Sequence, residues 1–280
     1  MRLRDHISHA GTRLRSGPHP DRAHLDAEFL LLHLLGKNRA WLFSHQDEEF
    51  GGCTAIRYAS LLDRRAKGEP IQYITGECEF YGLPFRVTPD VLIPRPETEH
   101  LVEAAITLAN QHNLLRIVDV GTGSGILAIA LAHHLPAARV TASDLSTSAL
   151  VLAEENARHN GVAIRFVHGD LLAPLAGEQF DLIVSNPPYI STADRTSLSI
   201  EVRDYEPATA LFAGNDGLAF YRRLIPAAFA ALIPGGFLAL EIGFGQSPAV
   251  QAILSAAGFV DTESTLDLQK IPRVLSARRP

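Results

Sequence analysis

Apolar positions in the first quarter of the chain recur every three or four residues, whereas from about residue 96 such stretches alternate with short β-branched runs. The first pattern predicts helices. "HLDAEFLLLHLLG" is apolar almost all round from Phe29 to Leu35, the mark of a buried helix, and Gly36 supplies a suitable C′ residue. "TAIRYASLLDRRAKGEP" places Ile56, Ala59, Leu62 and Ala66 on one face before Gly68 and Pro70 stop the helix. No strand pattern interrupts this region, so residues 1–75 are expected to form a small all-helical domain.

Residues 76–95 change character. "ECEFYGLPFRV" predicts two short strands about a Gly-Leu-Pro turn, a hairpin linking two domains. In "VLIPRPETEH" Pro94 and Pro96 hold Arg95 extended, Pro96 suits N1 of a helix, and Glu97 and Glu99 fall in its first turn. Residues 96–280 then read as helix "ETEHLVEAAITLAN", strand "RIVDV", helix "GILAIALAHHL", strand "ARVTASD", helix "STSALVLAEENARHN", and strands "IRFVHGD" and "FDLIVSN". Helix "GLAFYRRLIPAAFAALI", strand "GGFLALEI", helix "SPAVQAILSAAG" and two strand-like pieces ending in "PRVLSARR" complete the chain. Strands alternating with helices predict an α/β domain whose mainly parallel sheet is covered on both faces. The last pieces leave an antiparallel edge open.

With 46% hydrophobic and 20% charged residues, the composition is that of an ordinary globular protein. The N-terminus has no apolar h-region, and no apolar run approaches the roughly 18 residues of a membrane span. Cys53 and Cys78 are too few and too far apart for a disulfide framework, which suits a reducing cytoplasm. The formal net charge of −6 argues against a protein whose affinity rests on neutralising many phosphates. The His pairs His6/His9 and His133/His134 lack partners at ligand spacing, so no metal is expected.

Candidate chemistry begins at "DVGTGSG", Asp119 to Gly125, between a strand and its helix. Glycines let backbone approach a ligand, and the helix start offers free N–H groups. A dinucleotide fingerprint starting at Gly121 would need Gly or Ala where Ile126 stands, and no P-loop string exists. Asp144 ends the next strand, nineteen residues past Gly125, where a carboxylate can accept both hydroxyls of a ribose. A ribose-bearing cofactor without a pyrophosphate satisfies both observations, and S-adenosylmethionine is the common one. Asp170 in "HGD" is either a further contact or a turn residue.

The strand "FDLIVS" ends in "NPPYI", residues 186–190. Two prolines stop a central strand at once, so the motif is either a turn or a polar site at a strand's carboxyl end. That strand is expected beside "RIVDV", so that the motif opens next to the cofactor.

"DVGTGSG" with "NPPY" resembles the pattern of methyltransferases acting on planar nitrogen. "DAEFLLLHLLG", "PIQYITGECEFYGLPFRV", "VLIPRPETE", "EVRDYEPATALFAGNDGLAFYRRLI" and "IPRVLSARR" are similar to one branch, the protein-(glutamine-N5) methyltransferases of peptide chain release factors (HemK/PrmC type). Val120, where Leu is common, and Lys270, where Gly often stands, are small departures. The resemblance implies a Rossmann-like S-adenosylmethionine-dependent sheet with a small helical N-terminal domain that helps to recognise a class I release factor. It implies methylation of the glutamine amide in that factor's Gly-Gly-Gln motif. Gly121, Thr122, Gly123, Ser124 and Gly125 would line the methionine side of the cofactor, Asp144 its ribose and Leu171 its adenine, and Asn186 would also contact the cofactor. Asn186 and the Pro187 carbonyl would hold the target amide, with Pro188 stiffening the loop and Tyr189 packing against the amide. For Arg95 and Glu97 the resemblance suggests a place near the pocket, while local sequence explains them as a linker and a helix start.

Two rival readings are a DNA adenine-N6 methyltransferase and a non-catalytic binding module. The acidic balance and the helical N-domain oppose the first, with direct sequence-specific nucleic-acid binding not expected. The intact "NPPY" and glycine loop oppose the second.

Overall fold

A computed structural model describes residues 1–280. The chain begins with α1 (Leu3–Leu14), α2 (Ala23–Leu35), α3 (Arg39–His45), α4 (Gly52–Ala66) and α5 (Ile71–Thr75). Next come β1 (Glu77–Phe80), β2 (Leu83–Arg86), α6 (Glu99–His112), β3 (Arg116–Val120), α7 (Ile126–His134), β4 (Arg139–Asp144), α8 (Thr147–His159), β5 (Arg165–His168) and β6 (Phe180–Ser185). After these stand α9 (Ile200–Tyr205), α10 (Ala208–Leu211), α11 (Ala219–Ala231), β7 (Leu232–Glu241), α12 (Ser247–Ala256), β8 (Val260–Leu266) and β9 (Pro272–Arg278). Two compact units result, Met1–Glu77 with Leu198–Tyr205, and Cys78–Ser197 with Glu206–Pro280.

In the first unit Ala27, Leu30 and Leu31 of α2 are fully buried in a cluster with Ile7, Tyr58 and Leu62. The apolar periodicity of α4 misplaces its buried face. Leu62 of the expected face is buried, but Ile56 is 72% exposed and Ala59 is exposed, while Tyr58 and Arg65 point inward. Two polar partners explain the rotation. The Tyr58 hydroxyl donates to the Ala27 carbonyl at 2.8 Å, and Arg65 Nε donates to Asp26 at 2.6 Å with both side chains buried. A buried charge left unpaired is costly, so α4 turns to satisfy these groups. Glu201 of α9 is a second partner of Arg65, which ties the later segment into this unit. Phe29 on α2 is half exposed, so an all-round apolar helix is not buried all round.

The hairpin is not a free linker. Its turn is Tyr81-Gly82, both at positive φ, and Leu83 and Pro84 already belong to β2. Two central residues at positive φ match the right-handed twist of the flanking strands. Phe80 and Phe85 are buried in the core of the second unit with Leu101 and Ala157. Asn156 of α8 accepts the Arg86 N–H at 2.8 Å and donates to the Arg86 carbonyl at 3.0 Å. The apolar surface of two phenylalanines outweighs the freedom of a tether.

The second unit is built on a seven-stranded sheet of order β5-β4-β3-β6-β7-β9-β8. The first five strands pair in parallel, while β9 runs antiparallel to both β7 and β8. Side chains alternate between two cores: Ile117 and Leu182 face the layer of α6 and α7, Val118 and Ile183 the layer of α11 and α12. From β3 the chain winds outward through β4 to β5, then returns to place β6 on the other side, with Asp119 level with Val184. The strand order therefore reverses between β3 and β6, where open α/β sheets form a crevice.

Asp119 interrupts the apolar run of β3. It is fully buried, its Oδ2 accepts from Thr122 Oγ1 at 2.6 Å and the Ala128 N–H at 3.3 Å, and its Oδ1 has no partner. The carboxylate thus ties the glycine loop to the start of α7. Burial pushes its pKa up to about 7, the hydrogen bonds from Thr122 and Ala128 working against the shift.

Phe85→Ala should lower the unfolding free energy of the second unit by about 3–5 kcal/mol, read by urea denaturation, whereas a loose tether would barely register it. For Asp119 the folded state holds its proton to higher pH than the unfolded chain, so the group opposes folding increasingly as pH rises from about 4 through about 7. Asp119→Asn removes that contribution. The stability difference, variant minus wild type, should shift in the variant's favour between about pH 4 and about pH 8 in the same assay.

Candidate active site

The loop after β3 is held by β4: the Gly121 and Thr122 N–H groups donate to the Ser143 carbonyl at 2.8 and 3.0 Å. Gly121 and Gly123 sit at φ +75° and +56°, and a Cβ on either would meet no protein atom. Open space lies before both, and only glycine adopts such backbone without strain. Gly125 is different. A Cβ there would lie 2.9 Å from Ile129 and 3.1 Å from Ala153, so its lack of a side chain serves the packing of α7 on α8.

Asp144, at the end of β4, bridges two loops. Its Oδ2 accepts the Gly123 N–H and its Oδ1 the Ser146 N–H, each at 2.8 Å. Each oxygen keeps a lone pair for a further donor. Leu171 takes φ +51°, and its carbonyl accepts from Ser143 Oγ at 3.2 Å.

Most of these residues line a cavity of about 570 Å³. Eight of the eleven residues expected at the site border it: Gly121, Thr122, Gly123, Ser124, Asp144, Leu171, Asn186 and Pro188. Gly125, Pro187 and Tyr189 do not. Gly125 lies behind the loop as a packing residue, Pro187 is buried, and Tyr189 is turned to other partners. Asp170 lines the cavity and pairs with Arg223.

The "NPPY" segment is tied down on several sides. Asn186 Nδ2 donates to the hydroxyl of fully buried Thr98 at 3.0 Å. The Tyr189 hydroxyl donates to Glu241 Oε1 at 3.2 Å, and its carbonyl accepts from Gln246 Nε2 at 2.9 Å. Glu241, at the end of β7, is 2% exposed. Burial raises its carboxyl to about 7, the Thr98 and Tyr189 hydroxyls and Arg273 lower it, and the charge of Glu97 raises it further. Burial and then the Glu241 charge push the Tyr189 hydroxyl above its ordinary range. Ser185 Oγ donates to the Val120 carbonyl at 2.6 Å, locking the end of β6 to the end of β3 just before Asn186.

Arg95 lines the cavity and donates to both oxygens of buried Glu206, at 2.7 and 2.6 Å. Glu97 lies within electrostatic reach of Glu241 and Arg273. Sequence reasoning missed Thr98, Glu206, Glu241 and Gln246. Glu241 had a visible signal, an acid at the end of the apolar run "GGFLALEI". Thr98 had none, because "PETEH" reads as an ordinary helix start.

Residues 98–203 match the Methyltransferase small domain family, and residues 6–76 the PrmC N-terminal domain. Among solved structures, a T. thermophilus 16S rRNA methyltransferase shares the fold at 20% identity and TM-score 0.55, over 73% of this chain and 50% of that one. A Pyrococcus furiosus methyltransferase does so at 20% identity and TM-score 0.51, over 71% and 90%. Curated relatives are far more similar. The release factor glutamine methyltransferase of Deinococcus radiodurans is 45% identical over 100% of this chain and 99% of its own. Those of Geobacter sulfurreducens and Moorella thermoacetica are 45% and 46% identical, over 92% and 95% of this chain and 90% and 94% of theirs. With that identity running nearly end to end, through both the helical region and the sheet that carries the cavity, the chain belongs to the release factor glutamine methyltransferase family.

Proposed function

We propose that this protein transfers a methyl group from S-adenosylmethionine to the side-chain amide nitrogen of the glutamine in the Gly-Gly-Gln motif of a peptide chain release factor, giving N5-methylglutamine. One observation carries the reading: the Asn186 carboxamide borders the cavity with its NH2 already given to Thr98, which leaves Oδ1 as a free acceptor. Membership of the family supplies the substrate class.

The cavity suits the cofactor. Bare glycines at 121 and 123 leave room for the methionine portion, and each Asp144 oxygen keeps a lone pair for a ribose hydroxyl. Leu171 offers an apolar wall for adenine. S-adenosylmethionine supplies an electrophilic methyl on a sulfonium.

The protein's task is to present the amide. Its nitrogen is a poor nucleophile because the lone pair is delocalised, and it is too weak an acid for a side-chain base to ionise. Asn186 Oδ1 accepts one N–H and the Pro187 carbonyl, aimed by the stiff Pro187-Pro188 segment, accepts the other. The nitrogen's lone pair then faces the methyl. Positioning of this kind is worth several kcal/mol of barrier. As the nitrogen gains positive charge, the same acceptors hold it more strongly than in the ground state. Tyr189, outside the cofactor cavity, is assigned to the side of the motif that meets the target amide. The helical unit Met1–Glu77 is assigned to recognising the release factor, and such a substrate places the enzyme in the cytoplasm.

Purified protein, S-adenosylmethionine and unmodified release factor should yield a one-methyl mass gain on the Gly-Gly-Gln peptide. Asn186→Ala should lower kcat by about 100-fold or more while leaving cofactor affinity within about threefold. Methyl incorporated into duplex DNA, with none on the release factor, would move the assignment to a nucleic-acid substrate.

A further inference from the structure

We infer that Gln246 is a positioning residue for the reaction: its carboxamide clamps the backbone at Tyr189 and so fixes the direction in which Asn186 and the Pro187 carbonyl face the substrate. The inference rests on the reading of those two groups as acceptors of the substrate amide.

Two consecutive prolines leave a segment short of backbone donors. Pro187 and Pro188 have no N–H, so neither can donate to a neighbouring strand or loop. Their rings fix φ at both positions, and a residue that precedes proline is held extended, so the segment is stiff. A stiff segment points where its two ends are held. The front end is held by Ser185 Oγ, which donates to the Val120 carbonyl at 2.6 Å. For the rear end, donors have to come from elsewhere in the chain.

Gln246 brings them. Its Nε2 donates to the Tyr189 carbonyl at 2.9 Å and to the Gly217 carbonyl at 3.3 Å, while its Oε1 accepts the Gly243 N–H at 3.0 Å. Three loops are gathered on one side chain, those that follow β6 and β7 and the one that precedes α11. A flipped carboxamide would set acceptor against acceptor at two carbonyls and donor against donor at Gly243, so backbone groups alone dictate its orientation. The peptide unit it clamps is also held at its other end, where the Ile190 N–H donates to the Leu211 carbonyl at 2.9 Å. The Ile190 carbonyl accepts the Ala213 N–H at 2.9 Å, which draws the cavity-lining Phe212 into the same frame.

The surrounding backbone leaves room for this side chain and for little else. A Cβ on Gly217 would collide with the Tyr189 carbonyl and lie 2.7 Å from Gln246 Nε2. One on Gly243 would lie 2.7 Å from Gln246 Oε1 and 3.0 Å from the Tyr189 ring. Gln246 stands at the N-cap of α12, where a short polar side chain usually accepts from the helix's own N–H groups. It makes no such cap. Its backbone N–H donates to the Gly243 carbonyl and its carbonyl accepts from Val250, so a fixed helix start carries a side chain that reaches back to the loop after β6. A tie serving α12 alone would stay on the helix. This one lands on the residue that follows the Pro-Pro pair.

The test compares wild type, Gln246→Met, Gln246→Glu and, as a control on the same helix, Gln251→Met, each shown to be folded by circular dichroism and to bind S-adenosylmethionine. Met keeps the length and removes all three hydrogen bonds, whereas an ionised Glu keeps an acceptor for Gly243 and loses both donors. In steady-state methylation of the release factor, both Gln246 variants should lower kcat by about tenfold or more, with KM for the release factor and cofactor affinity within about twofold. Gln251→Met should stay near wild type. By NMR hydrogen exchange, the Gln246 side-chain NH2 should be protected in wild type, and the Ile190 N–H should exchange about tenfold faster in both Gln246 variants. A lower melting temperature with kcat unchanged would mark a purely structural tie and overturn the inference, as would a Gln246 NH2 that exchanges freely in the wild type. A wild type that leaves the release factor unmethylated, yet protects the Gln246 NH2 and loses Ile190 protection in the variants, would sink the substrate assignment and leave the clamp on the motif standing.

Discussion

The parallel pairing of β6 with β3 is the constraint on which the rest of the site depends. Because the chain winds outward from β3 to β5 and only then returns, two strands far apart in sequence end side by side, and their following loops diverge around a crevice. One loop is the open glycine turn of Gly121 and Gly123, the other begins with Asn186. The Ser185 hydroxyl on the Val120 carbonyl closes the pair at its last residues. A cofactor pocket and a rigid set of acceptors therefore share one edge of the sheet, and nearby strands are recruited to hold them.

Three carboxylates do much of that holding, each on a different strand of the second unit. Asp144 has a backbone N–H on each oxygen and joins the glycine loop to the start of α8. Asp119 and Glu241 are more deeply buried, and each has one oxygen without a full partner. Burial pushes the pKa of both up to about 7. Burying an incompletely solvated carboxylate opposes folding. The gain lies in fixed geometry: Asp119 holds the Thr122 hydroxyl and the Ala128 N–H, and Glu241 holds the Tyr189 hydroxyl.

Much of this was legible in the residues. The alternation after position 96, the glycine loop, the acid at 144 and the Asn-Pro-Pro-Tyr segment are local patterns, and the structure brings most of them to one cavity. Readings that depended on rotation or packing fared worse. The face of α4 was misjudged because Tyr58 and Arg65, polar in isolation, find partners on α2 and turn inward. The hairpin was taken for a linker because four-residue strands look tentative until two phenylalanines are seen in the core.

By itself the sequence determined the α/β class, the positions of the strand ends and the residue types offered there, because those follow from periodicity and backbone chemistry within short windows. It also determined family, through identity along nearly the whole chain. Only the tertiary structure decided that Thr98 stands behind Asn186, 88 positions away in the chain, and Glu241 against Tyr189, 52 positions away. Hydrogen bonds act over about 3 Å. Which side chains come that close is settled by strand order and helix packing, and no local pattern records it.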